Sequence, residues 1–596
     1  VRRRFTGQPD IGHFAGSGNG DVQTLIPTAS GLPAMHNVIS LLLRRMRLPL
    51  IILISTYAVS VVGLTLIPGI DDQGNPWRMD FFHAIYFVSF LGSTIGFGEI
   101  PYPFTGAQRL WTIFTIYAAV VSWLYAIGTI LTVIQDQGFR RVLASSSFAR
   151  KVRRMQEPFY ILCGYGDASR LLVRELSGHG MHCVVVEKDQ EKILDLAVED
   201  LLDYVPGLSE DATNSDTLIA AGLNRPNCRG VIALTGDDHS NLTIAITSKL
   251  LAPDVQVICQ SDSKDSAANM DSFGTDHIID PFEIFASRFA MMFHSPGMYL
   301  VYEWMTAVHD APLSDFKRPP TGTWVLCGFG RFGKAVRESI AIEGVKTRLI
   351  EADTEATGAP LDTVEGRGTE ANTLLEADIQ DAVGVIAGTD NDANNLSVLI
   401  TARYLNPGLF TVARQNQQKK DPIFRAADID LIMQPGTIVA QHILGLILAP
   451  LLGDFFRLTR NQNEEWANLL VSRIAGVVAE VTPETWELEI SPRQAPAVFG
   501  CLIRRHKVLL KDICSNPKNR SELLPCVPLL IKRDGECMLL PDMEECLQSG
   551  DQILFCGRQE STYQIRYIVN DHQALDYIQT GVDRPSGTVW RWITNY

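Results

Sequence analysis

The chain has 596 residues, 46% of them hydrophobic and 20% charged, with 67 acidic against 52 basic side chains and a formal net charge of −15. That length suggests about four domains rather than one, and the acid excess excludes nucleic acid as a partner, because phosphate binding needs a basic surface. Eleven cysteines without a C-x-x-C pair read as free thiols in a reducing compartment, not as a disulfide or metal framework.

Residues 1–35 are Gly-rich and polar, lack the apolar core of a signal peptide, and read as a flexible N-terminus. Residues 36–137 follow as a membrane part. Leu48–Pro68 and Leu110–Ile134 are uncharged runs of 21 and 25 residues. At about 1.5 Å of rise per residue, each crosses a hydrocarbon core of about 30 Å as a helix. Soluble helices of that length carry a charged face, so two membrane spans are expected. Arg44, Arg45 and Arg47 precede the first span. Arg140, Arg141, Arg150, Lys151, Arg153 and Arg154 follow the second, in a basic linker at 138–156. Between the spans, Arg78 is outnumbered by Asp71, Asp72, Asp80 and Glu99. The bias places both termini in the cytoplasm and the chain in the plasma (inner) membrane.

Phe81–Ser93 is apolar and aromatic but too short to span, and suits a re-entrant helix. Thr94-Ile95-Gly96-Phe97-Gly98 follows, then Glu99 and Pro101-Tyr102-Pro103. Non-helical backbone at membrane depth is tolerated only where it is buried in protein or lines a pore. Alternating glycines let successive carbonyls face one way, and rings of such oxygens replace the hydration shell of K⁺. The five residues resemble the potassium-channel signature T-x-G-[YF]-G. That resemblance implies a selectivity filter with K⁺ at Thr94, Ile95, Gly96 and Phe97, in a homotetramer set in the lipid bilayer. Two departures bear on filter stiffness: Phe97 lacks the hydroxyl of the commoner Tyr, and Glu99 replaces the commoner Asp. Neither span carries an arginine ladder, which argues against a voltage sensor. Gly128, in the inner half of the second span, is a candidate gating hinge or a point of close helix packing.

The remainder is a repeat. Phe159–Gly166 (FYILCGYG) recurs as Thr323–Gly330 (TWVLCGFG) at an offset of 164, and Glu187 recurs as Glu351. Val231–Thr235 matches Val385–Thr389 at an offset of 154, which Asn241 and Asn395, Pro253 and Pro407, and Pro281 and Pro435 keep. Two copies differing by a ten-residue deletion explain this. Each alternates short apolar strands with helices, with glycines directly after a strand and an acid 23 residues beyond the first glycine. This is the arrangement of a dinucleotide fold, with phosphate at the helix N-terminus and the acid on ribose. The first copy is expected at 157–318 and the second at 319–462, with an amphipathic stretch, Pro281–His294, near the end of the first and a strongly apolar one, Thr437–Leu458, near the end of the second. A β-rich α+β lobe is expected at 463–575 and a tail at 576–596. Candidate nucleotide ligands in the second copy are Gly328, Phe329, Gly330, Arg331, Phe332, Gly333, Glu351, Thr389 and Asp390. In the first they are Gly164, Tyr165, Gly166, Asp167, Glu187 and Thr235. There Ser169 replaces the third glycine, and Asp167 sets a carboxylate against the expected phosphate. Asp211, Asp237 and Asp238, in oxygen-rich loops, are candidate Ca²⁺ ligands, although their spacing matches no EF-hand.

With a pore motif on the same chain, the tandem domains resemble the RCK (regulator of K⁺ conductance) family of prokaryotic channels with two RCK domains per subunit, over about residues 40–570. The resemblance implies a membrane α-helical two-span pore domain, two Rossmann-like α/β RCK domains, and a small C-terminal β-rich α+β lobe. It further implies crossover helices at Pro281–His294 and Thr437–Leu458 that pair the domains, where ordinary core helices are the alternative, a gating ring of eight RCK domains, NAD or an adenine nucleotide as gating ligand, Ca²⁺ as a second candidate, and no enzymatic activity. Two alternatives stay open. A membrane-anchored NAD-dependent oxidoreductase would need a catalytic His, Lys or Tyr constellation that does not accompany the glycine loops. A regulatory RCK subunit of a cation transporter would not need its own spans.

Overall fold

The computed structural model describes residues 34–96, 98–306, 317–460, 462–478 and 481–582. It divides into two compact units, one ending at Ser147 and one beginning at Phe148.

In the first unit a long helix, Ala34–Leu66, contains a stretch, Met46–Leu66, that is apolar and long enough to cross a membrane; Gly106–Gln135 is a second. A hairpin of β1 (Pro68–Ile70) and β2 (Pro76–Arg78) and a short helix, Phe81–Gly92, lie between them in sequence. Asp80 caps the short helix by accepting the His83 N–H at 3.0 Å. Thr105 and Gln108 form a capping box at the start of the second span. The two long helices are stitched by polar contacts: Trp111 Nε1 donates to the Ser60 carbonyl at 3.1 Å, Trp123 Nε1 to Tyr57 Oη at 2.8 Å, and the Thr56 and Ser122 hydroxyls meet at 2.9 Å. Many large apolar side chains of both helices face outward, among them Ile54, Val62, Leu110, Tyr117 and Leu124. Such an apolar exterior is the mark of a helix whose solvent is lipid.

The expected basic linker is a helix, Gln137–Arg154. From Phe148 on it belongs to the second unit, where Phe148 and Val152 are buried in the core of the first repeat. Arg225 holds its end, donating to the carbonyls of Val152 (2.6 Å) and Met155 (2.8 Å).

The first repeat builds a six-stranded parallel sheet from β3 (Phe159–Cys163), β4 (His182–Glu187), β5 (Gly207–Ser209), β6 (Cys228–Ala233), β7 (Gln256–Gln260) and β8 (His277–Ile279), in the order β5-β4-β3-β6-β7-β8. The second repeats it with β9 (Thr323–Cys327), β10 (Lys346–Glu351), β11 (Val364–Glu365), β12 (Gly384–Ala387), β13 (Phe410–Arg414) and β14 (Leu431–Met433), in the order β11-β10-β9-β12-β13-β14. Both orders reverse direction beside the central strand, β3 or β9, which opens a crevice at its carboxyl end. The central strands are apolar throughout because helices cover both faces of a parallel sheet; Ile161, Leu162, Val325 and Leu326 are fully buried.

The crossover helices exchange cores. Pro281–His294, at the end of the first repeat, buries Phe282, Phe285 and Phe289 against Trp324, Leu326 and Phe332 of the second. Pro435–Leu448, at the end of the second, buries Val439, Ala440 and Ile443 against Leu162, Leu172 and Val185 of the first. Each crossover helix breaks before a proline. Pro296–Thr306 follows the first, and Pro450–Thr459 follows the second at an angle of 108°.

The region expected as the β-rich C-terminal lobe opens with a helix that packs on the lobe's sheet. Residues from Glu464 form a helix to Val478, and the sheet begins at Glu484. Strands Glu484–Glu489, Gln552–Gly557, Cys526–Arg533 and Glu536–Leu539 pair antiparallel in that order. The lobe also runs beyond residue 575, because the helix His572–Thr580 buries Leu575 and Ile578 in its core. The first twelve-odd residues of that region are too apolar on one face to be told from a strand by pattern alone.

Candidate functional site

The loop after the short helix carries the filter signature. Thr94 and Ile95 donate their amides back to Leu91 and Phe90 at 3.1 Å, which ends the helix. Thr94, Gly96 and Gly98 have φ of 60°, 67° and 97°. Nothing stands within 4 Å of where a β-carbon would be at Gly96 or Gly98, so glycine is needed there for its backbone angles rather than for space. Phe97 lies outside the described residues. Glu99 is gripped by Arg109, which the sequence reading did not single out: Nε to Oε1 is 2.7 Å, Nη2 to Oε2 is 3.1 Å, and the Phe104 N–H adds a bond at 2.9 Å. The carboxylate at this departure from the signature is therefore held from both sides. Gly128 sits within the unbroken helix Gly106–Gln135, with no neighbour within 4 Å of its β-carbon position.

The second repeat opens a cleft of about 380 Å³ at the end of its sheet, within the range of small-molecule sites. Of the expected ligands, Gly328, Gly330, Arg331, Glu351, Thr389 and Asp390 line it. Gly328 turns the chain out of β9 with φ of 97°. Gly330 caps the helix Arg331–Ile342 without any side-chain bond, leaving the first amides of that helix free to face an anion. Glu351, at the end of β10, accepts the Phe329 N–H with Oε2 and the Asp353 N–H with Oε1 at 3.0 Å, so it braces the loop as well as facing the cleft. Thr389 is fixed by Asn395, whose Oδ1 accepts its amide at 2.9 Å and its hydroxyl at 2.7 Å.

Three of the expected ligands, Phe329, Phe332 and Gly333, are not among the residues that line the cleft, and each has a packing role. Phe332 is fully buried against Phe282 and Phe285, and the Phe329 ring is buried beneath Lys334 and Arg337. Gly333 is needed for close approach, since a β-carbon there would fall 2.1 Å from the Gly328 carbonyl oxygen. The side-chain directions at 332 and 333 face the packed side of the helix, while the backbone amides of its first turn stay at the crevice.

Sequence reasoning missed Thr357, Gly366, Arg367, Asn394 and Arg414, all of which line the cleft. With Arg331 they bring three guanidinium groups to one crevice. Burial holds the Arg414 guanidinium below the usual arginine range, with Asp390 opposing that shift. Its Nε is buried and, among the described residues, has no hydrogen-bond partner, an unmet donor of the kind a phosphate oxygen satisfies. The signal for Arg367 and Arg414 lay in comparing the repeats: Gln260 stands opposite Arg414. Glu210, whose amide bonds the Glu187 carbonyl as that of Gly366 bonds Glu351, sets Asp211 opposite Arg367.

The first repeat keeps the fold and reverses the charge. Gly164 turns with φ of 97°; Gly166 caps the helix Asp167–Gly178 without a side-chain bond. Glu187 accepts the amides of Tyr165 (2.6 Å) and Asp189 (2.9 Å), as Glu351 does in the second copy. Tyr165 is 1% exposed and donates its hydroxyl to Glu199 at 2.7 Å; burial and that carboxylate push the phenol up. Thr235 is held by Asn241 at 2.8 Å. Asp167 accepts the Gln418 N–H of the second repeat at 3.1 Å. The candidate Ca²⁺ ligands are occupied with local bonds. Asp211 takes the Thr213 amide and hydroxyl, Asp237 caps a helix at Ser240, and Asp238 takes the Asp262 amide and the Ser261 hydroxyl. Among the described residues no group of three or more His, Cys, Asp or Glu is assembled to hold a metal.

Comparison with known proteins agrees with this division. The ion channel family matches residues 50–136, and the TrkA-N domain family matches 160–281 and again 324–435. Potassium channel protein 1 of Methanocaldococcus jannaschii is 25% identical over 37% of this chain and 64% of its own. The voltage-gated potassium channel Kch of Escherichia coli is 27% identical over 32% of this chain and 44% of its own. The chain spans between about a third and two thirds of the length of the curated relatives it matches. Among solved structures, the GsuK channel bound to NAD is 15% identical with a TM-score of 0.43, covering 90% of this chain and 100% of that one. The class is thus a membrane protein in which an ion-channel segment is joined to two TrkA-N domains. More particularly, two helices long and apolar enough to cross a membrane precede two TrkA-N domains, the order of parts found in the tandem-RCK channels that its motifs resemble.

Proposed function

We propose that the chain is the subunit of a ligand-gated, potassium-selective channel, four copies of which bring their Thr94–Gly98 loops to one axis in the plasma membrane. The bias of basic residues toward the flanks of the two spans puts both termini in the cytoplasm. The tandem RCK domains form the control ring, and a pyrophosphate-bearing adenine nucleotide, NAD⁺ or ADP, is read in the second cleft. One observation carries the nucleotide reading: Arg331, Arg367 and Arg414 converge with Gly328, Gly330 and Glu351 on a single crevice at a helix N-terminus. Uncapped helix amides and guanidinium forks suit phosphate oxygens, and the carboxylate of Glu351 suits ribose hydroxyls. The ligand acts on the pore by binding one shape of the ring more tightly than the other, and Gly128 gives the second span a place to bend. The first repeat, with Asp167 and Asp211 in place of Arg331 and Arg367 and the neutral Gln260 in place of Arg414, is the weaker site for any phosphate.

Recording the full chain in lipid bilayers against ADP and NAD⁺ tests this. Arg414→Gln installs the residue that the first repeat already carries as Gln260, so the fold tolerates it. The variant should need about tenfold more nucleotide for half-maximal gating, the worth of one charged hydrogen bond. An unchanged dose–response for both nucleotides would sink the reading.

A further inference from the structure

The fingerprint helix of each repeat meets a segment of the other repeat, and the two meetings differ in kind. In the first, Asp167 accepts the Gln418 N–H, and a β-carbon on Gly436 would lie 3.1 Å from the Ala168 nitrogen. Backbone of the second repeat already covers the anion-binding end of that helix. In the second, Arg331 Nη2 pairs with Asp262 Oδ2 at 3.1 Å and its guanidinium lies over the Phe282 ring, 5.5 Å from the centroid. Arg414 lies over the same ring at 4.7 Å. Asp262 and Phe282 both belong to the first repeat, so the second cleft borders on residues that its own repeat does not supply. Asp262 is firmly placed: its amide donates to Asp238 Oδ1 at 3.0 Å, and its Oδ1 accepts from Gln260 Nε2 at 3.1 Å. Its second oxygen is left to Arg331.

We infer that Asp262 is a built-in competitor for the phosphate of the nucleotide, and that ligand binding and the joint between the two repeats are linked through Arg331. The inference rests on the nucleotide reading of the second cleft. Arg331 lines that cleft at the first position of an uncapped helix, where the pyrophosphate of a dinucleotide-type ligand rests. Its one guanidinium then faces two anions. A bound phosphate must draw it from the carboxylate, so part of the binding free energy is used to give up the Asp262 contact. Linkage makes the effect reciprocal: the ligand weakens the Asp262–Arg331 contact by as much as that contact weakens the ligand. Asp262 follows β7, and Phe282 opens the crossover helix Pro281–His294, so the change falls at the root of the helix that packs the two repeats together.

Calorimetric titration of the full chain in detergent with ADP tests the inference. Asp262→Asn keeps the Gln260 contact and removes the charge. It should tighten ADP binding by about three- to fivefold, the scale of a partly exposed ion pair. The gain should disappear in an Arg331→Gln background and shrink at high salt. If Asp262→Asn does not fold, Asp262→Ser is read in the same way. Wild-type binding with unchanged or weaker affinity in the Asp262 variant overturns the inference alone, as does a gain that persists without Arg331. Failure of the wild type to bind either ADP or NAD⁺ overturns both this inference and the nucleotide reading.

Discussion

Gly333 shows how much one side chain decides in the second repeat. The Gly328 carbonyl oxygen lies 2.1 Å from where its β-carbon would be, and moving a backbone carbonyl displaces the very turn that Glu351 braces. The first repeat carries Ser169 at the equivalent point, fully buried and, among the described residues, with its hydroxyl unpaired, so a side chain there is compatible with the fold of the first copy. Gly333→Ala should cost about 1–3 kcal/mol of overpacking, seen as a lower thermal midpoint of the full chain, and should weaken ADP binding as well. A variant that binds ADP as tightly as wild type would show that the turn does not set the site. Glu351 illustrates a different residue-scale point. Its position after β10 was legible from a glycine-to-acid spacing, yet its bonds to the Phe329 and Asp353 amides make it a brace for the loop whatever the proposed ribose contact adds.

Among the elements, the crossover helices connect most of the second unit. Pro450–Thr459 is tied to the C-terminal lobe by Asp454, which pairs with Lys532 at 2.8 Å and with Arg457 on its own helix. The Lys532 and Arg457 bonds hold its carboxyl below the usual range. A carboxylate depressed in the folded state adds stability above its unfolded pKa, about 3.9, and loses it as pH falls through the lower folded value. Unfolding of wild type against Asp454→Asn should therefore differ by about 1 kcal/mol or less near neutrality and converge in strong acid. A difference that persists in acid would mean that Asp454 acts through shape rather than charge. The expectation of crossover helices came from the resemblance to the RCK family, since apolar character alone also fits ordinary core helices. That each sits in the core of the opposite repeat was beyond reach, because an amphipathic stripe states that a partner exists without stating which one.

At the scale of the molecule, the proposal needs four chains. A filter loop whose carbonyls serve one ion must close around an axis, and the apolar outer faces of the spans need lipid or a neighbouring subunit. Light scattering of detergent-solubilised protein should give four times the 66.0 kDa chain mass. A monomer that still passes K⁺ selectively on reconstitution would end the axial-filter reading. The acidic excess and the two apolar spans are compatible with this: the charge is carried by the second unit and the spans carry almost none.

The sequence by itself determined the elements whose cause is local. An uncharged run of sufficient length makes a span, glycines after a strand make a turn at a helix N-terminus, and an internal offset makes two copies of one fold. It equally marked Gly96 and Gly98, since positive φ is a property of single residues. Only the tertiary structure decided what depends on distant segments meeting. It brought Arg367 and Arg414 to the crevice beside Arg331, seated each crossover helix in the opposite repeat, clasped Glu99 with Arg109, and set Asp262 of one repeat against Arg331 of the other. Periodicity reports which side of an element is buried or charged, whereas the choice of partner is made by the fold, where charge and shape from both repeats converge on the same few ångströms.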